Sequence, residues 1–203
     1  MKLLTTLVVV AGLSSVAPAF AAPVTLDFED QSGFGSVVVA GNPYGLSANS
    51  ALQSLANDGL GTGLNGEYFS NQPAGSVVMY ALAPFAGERA EISSTAGFTQ
   101  SVSFYYSAAD SGSVAIRDAA GNALETFNFA ANSTDLDHPY NAWTLATVLF
   151  NGLASSIDFS NTVGVAAFDN VTLNPVPLPA GLLLLPSGLA ALGLVRRRKA
   201  VAA

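Results

Sequence analysis

The best candidates for binding a metal ion are three carboxylates, Asp27, Glu29 and Asp169. They lie near opposite ends of the segment 24–174. Calcium in proteins takes roughly six to eight oxygen ligands from carboxylates, carbonyls and water. Asp27 and Glu29 lie in the first strand-like segment and Asp169 lies in the last one. If those strands are neighbours, the carboxylates converge without help from a lysine or arginine. We therefore expect a structural Ca²⁺ site joining the two strands. The alternative is that all three are ordinary exposed acids.

A second polar cluster contains the only histidine of the chain. Asp135, Asp137 and His138 could do acid–base chemistry, could bind a second metal ion, or could form a solvated loop that enters a strand. No Gly-x-Ser-x-Gly nucleophile elbow is present. A pair of carboxylates of the kind that glycosidases use remains an alternative, because a chain with many acids can bring two of them together by chance. We expect a protein that is not an enzyme.

Aromatic residues in two predicted loops could pack against a sugar ring. The alternative is that they plug the ends of the fold. These residues are Tyr44, Tyr68, Phe69 and Tyr140. The glycine-rich stretch 59–63 lacks the lysine of a phosphate-binding loop, which excludes a nucleotide site of that kind.

Charge and composition exclude several classes of function. All 14 acids lie between residues 24 and 174, where only Arg89 and Arg117 oppose them, so 14 acidic and two basic residues give a formal charge of −12. A nucleic-acid binder needs cations to displace phosphate counterions, so no nucleic-acid partner is expected. The absence of cysteine excludes disulfides, thiol catalysis and zinc–thiolate sites.

Short β-branched and aromatic runs, separated by Gly, Asn, Asp and Pro, are typical of an all-β domain. We predict an antiparallel two-sheet sandwich, jelly-roll-like, with about nine strands and no helix. The sequence Ala119-Ala120-Gly121-Asn122 between two strands predicts a hairpin. Stretches 40–76 and 130–141 are predicted loops. The predicted strands are 24–29, 36–40, 76–82, 98–107, 114–118, 124–129, 143–150, 155–159 and 163–173.

The N-terminus has the order of a secretory signal peptide. Lys2 precedes a mostly apolar run, and Ala19-Phe20-Ala21 is a cleavage site of the A-x-A type. We expect a signal peptidase to remove residues 1–21. The β-sandwich domain is then predicted to span residues 22–174.

The C-terminus combines a proline-containing motif, an apolar run and a basic block. Val176, Pro177, Leu178, Pro179 and Ala180 form the motif, within a proline-rich spacer at 175–180. The apolar run 181–195 and the basic residues after it predict a transmembrane helix and basic tail at 181–199, because such a block favours the cytoplasmic side of a bilayer. At about 22 Å the span is short for a hydrocarbon core of about 30 Å, which fits a transient anchor. The basic residues are Arg196, Arg197, Arg198 and Lys199.

This arrangement resembles the PEP-CTERM family of bacterial sorting segments, and specifically its VPLPA variant. The resemblance covers about residues 176–200, and Pro186 in the span departs from it. It implies that a membrane exosortase cuts near the motif after a transient stay in the inner membrane. The product would reach the cell surface or extracellular matrix of a Gram-negative bacterium and associate with exopolysaccharide or biofilm.

The last strand-like segment, Phe168-Asp169-Asn170-Val171-Thr172-Leu173, resembles the final strand of jelly-roll carbohydrate-binding modules. In many of those modules the final strand shares a structural calcium ion with an acidic first strand. The resemblance keeps two alternatives open: a carbohydrate-binding module with a defined glycan ligand, and, more remotely, a secreted hydrolase.

Replacing Pro177 and Pro179 by alanine tests the sorting interpretation. We expect the double variant to remain an unprocessed, membrane-held form in an exosortase-containing host, because the rigid motif is what the enzyme would recognise. Immunoblots of membrane and extracellular fractions give the answer. Processing and localisation equal to those of the wild type would contradict the interpretation.

Overall fold

The structure, a computed structural model, describes residues 21–31, 34–39, 44–56, 69–84, 86–134 and 139–176. Within these ranges the chain is all-β and contains no helix, which confirms the all-β part of the predicted fold class. The expected signal peptide, except Ala21, and the expected transmembrane segment lie outside the described residues. In the described part, no helix is long and apolar enough to cross a bilayer. The strands are β1 (Val24–Leu26), β2 (Phe34–Ser36), β3 (Leu46–Ala48), β4 (Leu52–Ala56), β5 (Val77–Ala81), β6 (Glu91–Ala108), β7 (Gly112–Arg117), β8 (Ala123–Phe129), β9 (Thr144–Leu149), β10 (Ala154–Asn161) and β11 (Ala166–Pro175).

All named strand pairs are antiparallel, and hydrogen bonds join the eleven strands into one continuous network. The main order is β2-β4-β5-β11-β6-β10-β7-β8, with β1 attached to β11 and both β3 and β9 attached to β6. The chain order therefore differs greatly from the spatial order. In particular, the first and last strands are neighbours.

The long strand β6 links two parts of this network. Its first half pairs with β3 and β10, and its second half lies between β9 and β11. The change of partners coincides with two residues of positive φ, Gly97 (77°) and Gln100 (74°), where the strand bends. A Cβ atom at Gly97 would lie 2.9 Å from the carbonyl oxygen of Ala154, so only glycine fits this position.

Phenylalanine rings fill the core between the two parts of the strand network, one around the first half of β6 and the other around its second half. Phe104 of β6 makes edge-on contacts with Phe159 of β10 and Phe168 of β11, and the last two rings have centroids 4.8 Å apart. Phe127 of β8 also contacts Phe104, at 5.8 Å. Edge-to-face packing of this kind adds to the burial of apolar area. The rings thus pack β8 and β10 against the second half of β6 and β11.

The stretch 40–76, predicted to be a loop, contains two strands, β3 and β4, which raises the number from the predicted nine to eleven. All five residues of β4 are buried, although two of them are polar. Gln53 donates to the carbonyl oxygen of Ser50 at 2.6 Å, and Ser54 donates to that of Gly35 at 3.2 Å. The polar composition suggested a surface loop, but these hydrogen bonds remove the cost of burying it.

Two further predictions concern strand ends. The hairpin is confirmed, because Asp118 N–H donates to the Asn122 carbonyl at 3.0 Å between β7 and β8. The predicted strand at 36–40 is instead β2 at Phe34–Ser36, after which the amide of Gln31 bonds both backbone groups of Val38. The last strand runs to Pro175, one residue beyond the expected end of the domain, and Val176 N–H donates to the Gly97 carbonyl.

Candidate functional site

The candidate site begins where the first strand lies beside the last. Strand β1 pairs with β11 in a register that sets Val24 opposite Leu173 and Leu26 opposite Val171. The hydroxyls of Thr25 and Thr172 add a hydrogen bond of 2.8 Å across the pair. Just beyond this pairing, Asp27 and Glu29 follow the end of β1, because the strand predicted for 24–29 ends at Leu26, and Asp169 lies within β11. The adjacency that the calcium hypothesis required is therefore present.

Glu29 binds the backbone that leads into β5. Its two carboxylate oxygens each accept the Ser76 N–H at 3.0 Å, and one of them accepts the Val77 N–H at 2.8 Å. The carboxylate lies directly over Gly75, where a Cβ atom would overlap it. Glu29 thus holds residues 75–77 against the start of the domain by charge-assisted hydrogen bonds.

Asp169 is fully buried on β11. One carboxylate oxygen accepts the Ala74 N–H at 3.1 Å, and the other accepts the N–H of Asn170 at 2.7 Å. Burial, with a smaller contribution from the negative charges of Glu29 and Asp27, raises the pKa of this carboxyl to about 6 against the lowering effect of the two hydrogen bonds. The three predicted carboxylates therefore share one electrostatic environment.

Strained backbone surrounds the same carboxylates. Phe28, between Asp27 and Glu29, has a φ of 61°, and Asn170, directly after Asp169, has a φ of 51°. Such values are uncommon for residues other than glycine and cost most for a bulky side chain. Strain of this kind, of order 1–3 kcal/mol per residue, clusters at functional sites. At Phe28 it lets the ring enter the core while both neighbouring acids stay exposed.

The two arginines of the described chain lie elsewhere. Arg117 and Arg89 both bind the buried carboxylate of Asp158, with Nε–Oδ2 distances of 2.8 and 3.5 Å. Burial alone would raise the pKa of Asp158, but hydrogen bonds from Ser160 and the guanidinium of Arg117 hold it below its usual range. Neither cation is thus available to balance Asp27, Glu29 and Asp169.

Side chains alone do not complete a metal site in the described ranges. No group of three or more carboxylate, imidazole or thiolate side chains there has the arrangement of a metal centre. Each carboxylate oxygen offers more than one lone pair, however, so Glu29 and Asp169 keep acceptor capacity beyond their present N–H donors. A cation here would need backbone carbonyls and water as its other ligands, which is usual for Ca²⁺.

The remaining predicted residues have several fates. Asp135, Asp137, His138 and Tyr68 lie outside the described residues, as do Pro177, Leu178, Pro179, Ala180 and the basic tail. Phe69 is fully buried against Leu55, Val78 and Ala167, which agrees with a plug and not with a sugar platform. Nearby, Trp143 donates from Nε1 to the Ser70 carbonyl at 2.9 Å.

Two features, one at the carboxylate site and one beside the arginines, were not predicted from the sequence. The first is the row of backbone donors at 74–77, which has no side-chain signal other than Gly75. The second is a groove of about 290 Å³ beside the arginine pair, lined by Arg89, Asp118, Gly121 and several hydroxyls. A cluster of serines in separate strands could have suggested the groove only if the pairing of β6 with β10 had been known.

Comparisons with known proteins leave the family open. No protein-family model matches the chain, and no curated protein matches it. A structure of Arthrobacter globiformis T6 isomalto-dextranase complexed with panose is similar at 13% identity and a TM-score of 0.36. The enzymatically active domain of bacteriophage CBA120 tailspike protein 4 is similar at 14% identity and a TM-score of 0.34.

These likenesses cover 75% and 74% of this chain but only 32% and 20% of the two solved chains. The chain therefore spans less than a third of the length of either one. Similarity this distant assigns neither an activity nor a ligand to the chain.

Asp169 should make the metal-free protein less stable as the pH rises. Its folded pKa of about 6 lies above the ordinary 3.8, so the folded state binds the proton more tightly than the unfolded state. This stabilisation is complete below about pH 4 and is lost as the pH rises through about 6, amounting to about 3 kcal/mol.

Urea unfolding with a chelator at pH 4 and pH 7 measures the effect, with Asp169→Asn as the comparison. The variant should lose this part of the pH dependence. An identical change in unfolding free energy for both proteins would contradict the assignment.

Proposed function

We propose that this chain is an exported, non-catalytic surface or matrix protein that an exosortase sorts and that associates with exopolysaccharide. The pairing of β1 with β11 is the observation that carries the proposal. The expected signal-peptide cleavage point lies just before Val24, and the expected sorting motif begins at Val176, directly after Pro175. Both cleavages would therefore fall at one end of one strand pair, and neither would cut a strand.

We further propose that the domain is a jelly-roll-like sandwich of two sheets. The two halves of β6 would belong to different sheets, joined by the bend at Gly97 and Gln100. The contacts of Phe104 with Phe127 and Phe159 support this layering, because they bring β8 and β10 over the second half of β6. A sandwich of this kind provides a rigid body for display and does not by itself imply an activity.

The proposed cofactor is a structural Ca²⁺ ion bound by Asp27, Glu29 and Asp169. Three lines of support meet there: the adjacency of the strands, the raised pKa of Asp169, and the engagement of both described arginines at Asp158. The ion would bind the start of the domain to its end. That role suits a chain without cysteine, since no disulfide can perform it.

Calcium should stabilise the protein through these carboxylates. A ligand at 100 times its dissociation constant adds about 2.7 kcal/mol, and each kcal/mol moves the melting temperature of a domain this size by roughly 2–4 °C. We therefore expect saturating calcium to raise the melting temperature by about 5–10 °C over a chelated sample. Calorimetry or circular dichroism measures the shift.

Asp169→Ala should remove most of this increment. The matched control is Asp110→Ala, which removes an exposed acid whose hydrogen bonds reach only the adjacent Ser111. Equal melting in calcium and in chelator, after bound metal is stripped, would contradict the calcium proposal and leave the sorting proposal untouched.

A glycan-binding module is the second candidate, and the groove beside Arg89 favours it. The hydroxyls and charged groups there are of the kind that bind sugar hydroxyls. Arg89 is 44% exposed at the side chain, so its guanidinium can still donate to a ligand while one nitrogen faces Asp158. This candidate would locate glycan contact at the groove and not at the loop aromatics.

Fractionation of bacterial cultures tests the proposed function. In a host with an exosortase and exopolysaccharide, the wild-type chain should be found mainly in the extracellular polysaccharide fraction. A chain that ends at Val176 should be found as soluble protein in the medium, because it lacks the anchor. Equal distribution of the two proteins would contradict the proposal. Loss of polysaccharide retention in Arg89→Ala alone would favour the glycan-binding candidate.

A further inference from the structure

Strand β9 is an open edge among the described strands. It pairs only with β6, from Ser101 opposite Leu149 to Tyr106 opposite Thr144. Phe150 N–H donates to the Gln100 carbonyl at 3.1 Å, which continues this register by one residue. Because hydrogen-bonding direction alternates along a strand, the even-numbered residues of β9 face β6. Leu145, Thr147 and Leu149 then direct their N–H and C=O groups away from the sheet.

Hydrogen bonds on β6 support this assignment of direction. The partners of Phe104 and Val102 across the pair are Ala146 and Val148, so even-numbered residues of β6 should face the β9 side. Beyond the end of β9, Ala108 N–H donates to Asn132 and the Tyr106 carbonyl accepts from Asn132. Ala108 and Tyr106 are both even-numbered, and these backbone groups point to the β9 side of β6, as the alternation requires.

The side chains of the same three residues are exposed. Leu145 is 54% exposed and Leu149 is 70% exposed, while Ala146 and Val148 are buried in the core. Open edges are usually protected by charged residues, proline or bulges. Strand β9 has none of these, and the sequence carries no charged residue from Pro139 to Ile157. Strand β8, another edge, carries Glu125.

We propose that β9 pairs with β9 of a second copy of this chain, antiparallel and about a two-fold axis at Thr147. In this register Thr147 lies opposite Thr147 of the second copy, and Leu145 lies opposite Leu149 of the second copy. Each of these residues has its backbone groups on the open edge, so the pairs can form reciprocal hydrogen bonds. The leucines meet on one face, and Ala146 meets Val148 on the other, which continues both faces of the sheet.

A second copy can approach this edge without repulsion, because the edge carries no charged residue. Residues 24–174 carry a formal charge of −12 in each copy, so two copies repel one another wherever acids approach. The segment from Pro139 to Ile157 brings no acid to the contact. The contact is also short, since β9 has six residues. A contact this short favours a reversible dimer that forms at high local concentration. This inference does not depend on the proposed sorting or calcium.

Cysteine cross-linking of the full chain tests the pairing, because the chain has no cysteine of its own. The full-length Thr147→Cys variant, purified in mild detergent, is treated with the thiol oxidant diamide and examined on non-reducing gels. The matched control is Thr126→Cys, an exposed threonine on the edge strand β8. Paired Cα atoms fall within disulfide range, so Thr147→Cys should form a cross-linked dimer at least about tenfold faster than the control.

The register is tested with Leu145→Cys and Leu149→Cys. A mixture of the two variants should cross-link to each other much faster than either variant cross-links alone. Equal rates for Thr147→Cys and Thr126→Cys would overturn the second copy as the partner of β9. A mixture no faster than the single variants would overturn the two-fold register.

Discussion

The join between the first and last strands is the constraint on which the rest of this structure depends. It sets three acids, Asp27, Glu29 and Asp169, in one environment while both described arginines bind Asp158. Backbone N–H groups at 74–77 partly compensate this charge. Hydrogen bonds from amides stabilise the carboxylates but add no net positive charge. The proposed Ca²⁺ ion would supply the positive charge that these amides lack.

The pairing of β1 with β11 also determines where the two ends of the domain lie. Because β1 and β11 are paired, the beginning and the end of the domain lie side by side, and the remaining strands extend from them. The long strand β6 connects most of these strands, since it pairs with β3, β9, β10 and β11. Its second half exposes β9 as the uncharged edge. Attachment and self-association would thus use different parts of the domain.

The sequence predicted what depends on alternation and on turn residues. The all-β class and the hairpin at residues 119–122 follow from local pattern, and both agree with the structure. The acids of the site were also predictable, because acidic residues in the first and last strands with few cations form an unusual pattern. Their convergence still required the strand adjacency, which no local pattern encodes.

The features that could not be predicted from the sequence depend on contacts between residues far apart in the chain. Strand β4 resembled a loop because Gln53 and Ser54 are polar, and only their partners in the fold explain their burial. The backbone donors at 74–77 have no side-chain identity to recognise. The left-handed Phe28 could not be foreseen either, since phenylalanine disfavours that conformation and tertiary packing imposes it.

A crystal structure of the domain grown in saturating calcium is the most direct test of the central claim. We predict an anomalous difference peak between Asp27, Glu29 and Asp169, with carboxylate oxygens at about 2.3–2.6 Å from the ion. Glu29 and Asp169 would remain beside residues 74–77. A map without such a peak, in which the three carboxylates contact only backbone N–H groups and water, would contradict the calcium proposal.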